Sequence, residues 1–138
     1  MSEYNFRQSV VKALQQIRTD PFSVENRVRA GTPDVNCTRG WIELKYLAEW
    51  PKLPETPVRI DHFTNQQRNF LRRRWNAGGG AWLLMRVGSR GVLENLLFSG
   101  PEAADFLGYL DRAKLVSLAV MHTYGAIKSQ DLAEKLVR

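Results

Sequence analysis

Cysteine is nearly absent from this chain. Cys37 stands alone, which excludes an internal disulfide and any zinc site built on clustered thiolates. Beside a turn it reads as a small packing residue. Histidine is almost as scarce: His62 and His122 are the only two, too few for a histidine-rich metal centre. No apolar run approaches the roughly 20 residues that span a bilayer, so no membrane partner is expected. The opening MSEYNFRQ lacks the basic-then-apolar profile of an export signal, and the expected location is the cytoplasm. Repeats, low-complexity tracts and domain linkers are lacking too. A chain of 138 residues, 43% hydrophobic and 25% charged, therefore suits one globular domain with a real core.

Negative charge is also short in one region. Between Val58 and Val92, Asp61 is the sole acid beside Arg59, Arg68, Arg72, Arg73, Arg74, Arg86 and Arg90, in a chain of net charge +6. Guanidinium pairs with phosphate oxygens through two parallel hydrogen bonds, so concentrated arginine points to a nucleic-acid partner. Arg72, Arg73 and Arg74 span nearly a helical turn and cannot all face one groove. Arg29, Arg68, Arg72 and Arg73 are the candidates for phosphate contact.

Residues 4–17 predict an amphipathic helix, because Phe6, Val10, Ala13, Leu14 and Ile17 recur at spacings of three and four. Ser2 suits its N-cap and Glu3 its first turn. Asp20-Pro21 ends it. Alternation of Phe22, Val24, Asn26 and Val28 predicts a strand over 22–29, with Asn26 weakening the pattern. A turn at 30–33 leads to a short strand over 34–37, and Thr38-Arg39-Gly40 predicts a hairpin into a strand over 41–47. Pro51, Pro54 and Pro57 forbid regular structure over 48–62, making that stretch a functional loop or a partner contact. Thr64 caps a helix over 65–77, which Gly78-Gly79-Gly80 stops. The near-continuous apolar run over 81–87 reads as a buried strand, and 92–98 as a strand or extended edge. Helices are expected at 101–107, 113–120 and 129–137. The result is a mixed α/β domain with a core over about 3–100 and a helical extension over about 101–138. The helix after the third strand acts as a crossover back into the sheet.

Glu43 and Lys45 are two residues apart in one strand, so they share a face with Trp41, while Ile42, Leu44 and Tyr46 take the other. Asp34 lies across the hairpin, within reach of Glu43 in a paired geometry. Two converging carboxylates repel unless something positive sits between them. Mg²⁺ or Mn²⁺ suits such hard oxygen ligands, keeps several waters and takes only one or two carboxylates. The backbone carbonyl of Leu44 is a further candidate ligand. Lys45 is placed to hold a phosphate oxygen or to orient an attacking water. The alternatives are ordinary: Asp34 as a turn residue bonded to backbone, Glu43 and Lys45 as the solvated face of an edge strand.

Gly31-Thr32-Pro33-Asp34 followed by Ile42-Glu43-Leu44-Lys45 resembles the signature of the PD-(D/E)XK nuclease superfamily: a proline–aspartate pair, a turn, then an acid, one apolar residue and a lysine. The gap from Asp34 to Glu43 is short, within what a tight hairpin permits. More closely, the chain resembles the small phage and archaeal Holliday-junction-resolvase-like branch, including stand-alone virus-type replication-repair (VRR-Nuc) nucleases. The acid Glu3 on the first helix, the strand VENRVRAGTPDVN, the helix opening Thr64-x-x-Gln67 and its ending AGGGAWLLMRV carry that likeness over roughly 3–87; nothing beyond Gly100 matches.

The resemblance implies a restriction-endonuclease-like αβββαβ core, a mixed sheet flanked by helices, with extra C-terminal helices. It implies metal-dependent hydrolysis of DNA, with branched DNA such as a Holliday junction as substrate. A homodimer is implied for paired cuts, and a bacterial host cytoplasm if the source is a phage. By the same resemblance Asp34 and Glu43 bind Mg²⁺ or Mn²⁺, and Lys45 assists the attacking water. Gln67 contacts phosphate or a metal-bound water, and Glu3 completes the metal site. The alternatives are a nuclease for flaps, nicks or single-strand ends, or a non-catalytic DNA-binding protein. Glu25 has three candidate roles: substrate edge, alternative metal acid, or ion pair with Arg27 or Arg29. Trp41 and Trp50 are candidates for stacking on an unpaired base or for packing.

Overall fold

The computed structural model describes residues 3–25, 29–89 and 91–138. Helix α1 (Glu3–Gln16) precedes strands β1 (Phe22–Ser23), β2 (Val35–Cys37) and β3 (Gly40–Leu47). Then come α2 (Asn65–Asn76), β4 (Ala81–Ser89), β5 (Val92–Ser99), α3 (Gly100–Phe106), α4 (Arg112–Leu118), β6 (Met121–Tyr124) and α5 (Ser129–Lys135). The strands form one sheet in chain order. Neighbours are antiparallel except β3 and β4, which run parallel and are joined by α2 as a crossover. The chain is an α/β domain with the expected opening order of helix, three strands, helix, strand. Among the described residues no helix is long and apolar enough to cross a membrane.

Helices cover both faces of the sheet, and this explains why β4 reads as unbroken apolar sequence. Trp82 and Leu84 pack with Phe6, Val10 and Leu14 of α1 and Leu132 of α5. Leu83, Met85 and Val87 point the other way, to Leu71 of α2, Ala103 of α3 and Leu115 of α4. A strand buried on both sides needs no polar alternation. Arg86 is the exception within that run. It is 1% exposed, donates to Asn95 Oδ1 and to the Gly125 carbonyl, both at 2.9 Å, and lies over the Phe6 ring. Burial lowers its pKa from the usual arginine value. Arg86 thus belongs to the core, not to the basic surface that the sequence suggested; Arg90 lies outside the described residues.

The proline-rich stretch between β3 and α2 is pinned rather than loose. Val58 N donates to the Leu110 carbonyl at 2.8 Å. Buried Trp50 donates its Nε1 to Glu94 Oε1 at 3.0 Å. Glu94, on β5, also accepts from Arg112 Nη2 at 2.8 Å and meets His122 Nε2 at 2.9 Å. Trp41 packs edge-on to Phe70 of α2 at 5.4 Å. Trp50 is thus a packing residue, while Trp41 packs on one side and stays partly exposed.

Two elements differ from expectation. The first strand is two residues long, not eight, and residues 26–28 lie outside the described residues. Phe22 is exposed at this outer edge of the sheet, so the apolar alternation there marks no buried face. The second difference is β6. The helix expected through residue 120 stops at Leu118, and the chain returns as a strand with Met121 opposite Leu97. The C-terminal stretch is therefore not wholly helical; it adds the last strand to the sheet.

Gly40 and Gly80 set how closely β3 and β4 begin. A Cβ on Gly80 would fall on the Arg39 carbonyl, and one on Gly40, at φ +126°, on the Gly80 backbone. Gly78, at φ +96°, has open space around it. Gly80→Ala is therefore expected to cost roughly 3 kcal/mol in urea unfolding, and Gly78→Ala only about 1 kcal/mol. Equal losses would remove the packing explanation.

Candidate active site

The register of β2 and β3 pairs Val35 with Ile42. Carried one step further, it sets Asp34 opposite Glu43. The backbone ladder stops there, because Pro33 has no N–H to give. The Asp34 side chain takes over: its Oδ2 accepts from Leu44 N at 2.9 Å. The N–H and C=O of a strand residue leave the same edge. The Leu44 carbonyl therefore lies along the side of β3 that faces Pro33. Asp34 is 7% exposed, and its Oδ1 accepts from Arg7 Nη2 at 3.2 Å.

Glu43 and Lys45 share the face of β3 that lies beneath the start of α2. Glu43 is 2% exposed, with Oε2 at 3.3 Å from Lys45 Nζ. The ammonium also donates to Gln67 Oε1 at 3.2 Å and to the His62 carbonyl at 3.1 Å. Three acceptors thus match the three N–H bonds of a lysine head group. The Phe63 ring covers it at 5.5 Å.

Gln67 is placed by the helix cap. Thr64 Oγ1 accepts from Gln67 N at 3.2 Å, and Gln67 Oε1 accepts from Thr64 N at 3.0 Å, a reciprocal capping box. The same Oε1 therefore serves the cap and Lys45 together. Gly31, at φ +82°, brings the preceding loop against this helix start, where a Cβ would collide with the Gln66 backbone. Thr32 Oγ1 donates to the Arg29 carbonyl at 2.6 Å and closes that loop.

The remaining candidates scatter. Glu3 opens α1, but its side chain lies outside what the structure describes. The Glu25 side chain is 72% exposed and stands 4.0 Å from Arg7 Nη1, so it approaches the site through Arg7; Arg27 lies outside the described residues. Arg29 and Arg73 are exposed. Arg68 and Arg72 both donate to the Ala104 carbonyl, at 2.9 and 3.2 Å, and Arg72 pairs with Asp105 at 2.9 Å. Arg68 also lies over Phe63 at 4.2 Å, and burial lowers its pKa. These two arginines tie α2 to α3. Arg7 is the site residue that sequence reasoning missed. Its one available signal is position: it borders the apolar stripe of α1 next to Phe6.

Among the described residues no three His, Cys, Asp or Glu side chains gather as a metal cluster. The donors present are two carboxylates across one hairpin and a strand carbonyl beside them. These are hard oxygens in the number Mg²⁺ or Mn²⁺ takes when water and substrate phosphate fill the other positions. In donor chemistry the set suits such an ion. A cleft of about 40 Å³ opens beside Asp34, lined by Phe6, Arg7, Asp34, Leu44, Lys45 and Tyr46. A wider one of about 440 Å³ continues past Lys45 to Ile60, Asp61 and His62.

Buried opposite charges are costly to separate. Lys45→Met is expected to lose roughly 3 kcal/mol in urea unfolding, since it leaves the Glu43 carboxylate without its ammonium. Adding Glu43→Gln should restore most of that loss; an additive double variant would mean the two charges do not interact. Set against known protein families, curated proteins and solved structures, the chain has no match in any of the three comparisons.

Proposed function

We propose that the chain is a metal-dependent DNA endonuclease of the PD-(D/E)XK kind. It acts in the cytoplasm, as a homodimer, on branched DNA such as a Holliday junction. One observation carries the reading: the β2–β3 register, extended one step, sets Asp34 opposite Glu43, and Lys45 follows two residues later on the Glu43 face of the strand. The order of elements around that hairpin supports it, as does the quoted motif.

In this reading Asp34, Glu43 and the Leu44 carbonyl hold Mg²⁺ or Mn²⁺. The ion supplies Lewis-acid polarisation of the phosphoryl group and a more acidic water. Lys45 is already immobilised by Glu43, Gln67 and the His62 carbonyl. It can exchange one of these three acceptors for a phosphate oxygen, or for a water aligned for in-line attack, while the other two keep the side chain in place. Gln67 acts through Lys45 as a positioning residue. In this reading the scissile strand would run along the wider cleft beside Lys45. Of the four candidate arginines, Arg29 and Arg73 are the exposed ones without a tie to α3, whereas Arg68 and Arg72 are engaged there. Paired nicks require two such sites related by a twofold axis.

A binding-only protein is the second reading, and one observation favours it. Each acid already has a cation beside it, Arg7 at Asp34 and Lys45 at Glu43. The test uses labelled four-way junction, flap and plain duplex, with Mg²⁺, Mn²⁺ or chelator. Symmetrical junction nicks are expected, abolished by chelator. Asp34→Asn and Lys45→Ala should each slow cutting by roughly 10²–10³-fold. Flap cutting alone would reassign the substrate. Binding without cutting in every condition would establish the second reading.

A further inference from the structure

We propose that Arg7 is a built-in competitor of the metal ion, displaced when the ion and the DNA phosphate arrive together. The inference rests on the nuclease reading above. Arg7 forks between two carboxylates, 3.2 Å from Asp34 Oδ1 and 4.0 Å from Glu25 Oε1. Its partners differ in setting: the Asp34 side chain is 10% exposed and that of Glu25 is 72% exposed. Arg7 itself lines the narrow cleft with Asp34, Leu44 and Lys45.

An ion held by Asp34 would bring two positive charges against the guanidinium at a separation of a few ångströms. At such range repulsion between like charges is strong in a partly buried site. The guanidinium and the ion therefore exclude one another from Asp34. Glu25 gives Arg7 somewhere to go: it is exposed, anionic and already within reach. A phosphate in the cleft would attract it further, because guanidinium takes two phosphate oxygens at once. Phosphate binding then draws Arg7 off Asp34 and strengthens the metal site. By linkage, metal binding strengthens DNA binding to the same degree. Arg7 is a positioning residue in this scheme, and it makes metal loading depend on substrate.

Manganese titration of the whole protein without DNA tests this directly, by calorimetry or by the electron paramagnetic resonance of the free ion. Arg7→Gln is expected to bind Mn²⁺ roughly tenfold more tightly than the wild type. Glu25→Gln should shift affinity the other way, by a few fold, because Arg7 loses its alternative partner. With Ca²⁺ in place of Mg²⁺, Arg7→Gln should bind the junction more weakly, with a salt slope smaller by about one. A purely structural tie between α1 and β2 would lower the melting temperature and leave Mn²⁺ affinity unchanged or weaker, and that result overturns the proposal. If Arg7→Gln does not fold, Glu25→Gln decides: unchanged affinity there overturns it as well. A wild type that cuts DNA while both variants bind Mn²⁺ as it does sinks only the role of Arg7. A wild type that neither binds Mn²⁺ nor cuts, with variants alike, sinks the nuclease reading too.

Discussion

Leu44 gives its backbone N–H to the carboxylate of Asp34, and the arrangement of the site follows from that bond. A proline at position 33 cannot continue the ladder, so the strand pair would end with an open edge. The aspartate closes the edge with its side chain instead. In doing so it fixes its own carboxylate across the hairpin from Glu43, nearly out of water. A residue used to finish a β-ladder thereby becomes a buried acid, at the register position opposite a second one. The bond also orients the Leu44 peptide, so that its carbonyl lies on the same edge. The Asp34 carboxylate and the Leu44 peptide are thus set by one local rule, within a single hairpin.

Burying two carboxylates costs free energy unless positive charge is nearby. Arg7 and Lys45 supply it from opposite directions, one from α1 and one from the strand itself. Lys45 is the more tightly held, because its third acceptor comes from a helix cap. Gln67 Oε1 ends the α2 cap and grips the ammonium at once. Loss of either function disturbs the other, so helix start and site charge are mechanically linked. Gly31 belongs to the same linkage, since it lets the Asp34 loop rest directly on the first turn of α2.

Much of this was legible from residue spacing. The i, i+2 relation of Glu43 and Lys45, the hairpin that opposes Asp34 to Glu43, and the buried β4 strand all follow from local periodicity. The capping box follows from Thr64-x-x-Gln67. Arg7 was not legible, because its partner Asp34 lies 27 residues away and is reached only through the packing of α1 on the sheet. The strand β6 was missed for another reason. It is four residues long, and its apolar residues merge with the helical pattern before it, although Val120, Thr123 and Tyr124 favour extended chain. The overlong first strand is the converse error: alternation at an exposed edge resembles alternation over a core.

Arginine shows why composition overstates a binding surface. Of the cluster that dominates the middle of the sequence, Arg86 is sealed beneath Phe6, and Arg68 and Arg72 are spent on the carbonyl at the end of α3. Arg112 serves Glu94, and Arg39 and Arg138 donate to carbonyls at the ends of α5 and α2. A guanidinium can do this because it is weakly hydrated and offers five donors in a plane. The same property suits it to phosphate. Net charge therefore sets the long-range field that draws a polyanion in, whereas the residues free to touch it are fewer and must be read from burial. Arg7 falls between the two groups. Its charge is committed to Asp34 in the isolated protein, yet its second partner is an exposed acid rather than a buried carbonyl. An arginine bonded to carbonyls in the core has no cheaper place to go. One shared between a buried and a solvated carboxylate does, and that difference separates a structural arginine from one able to move.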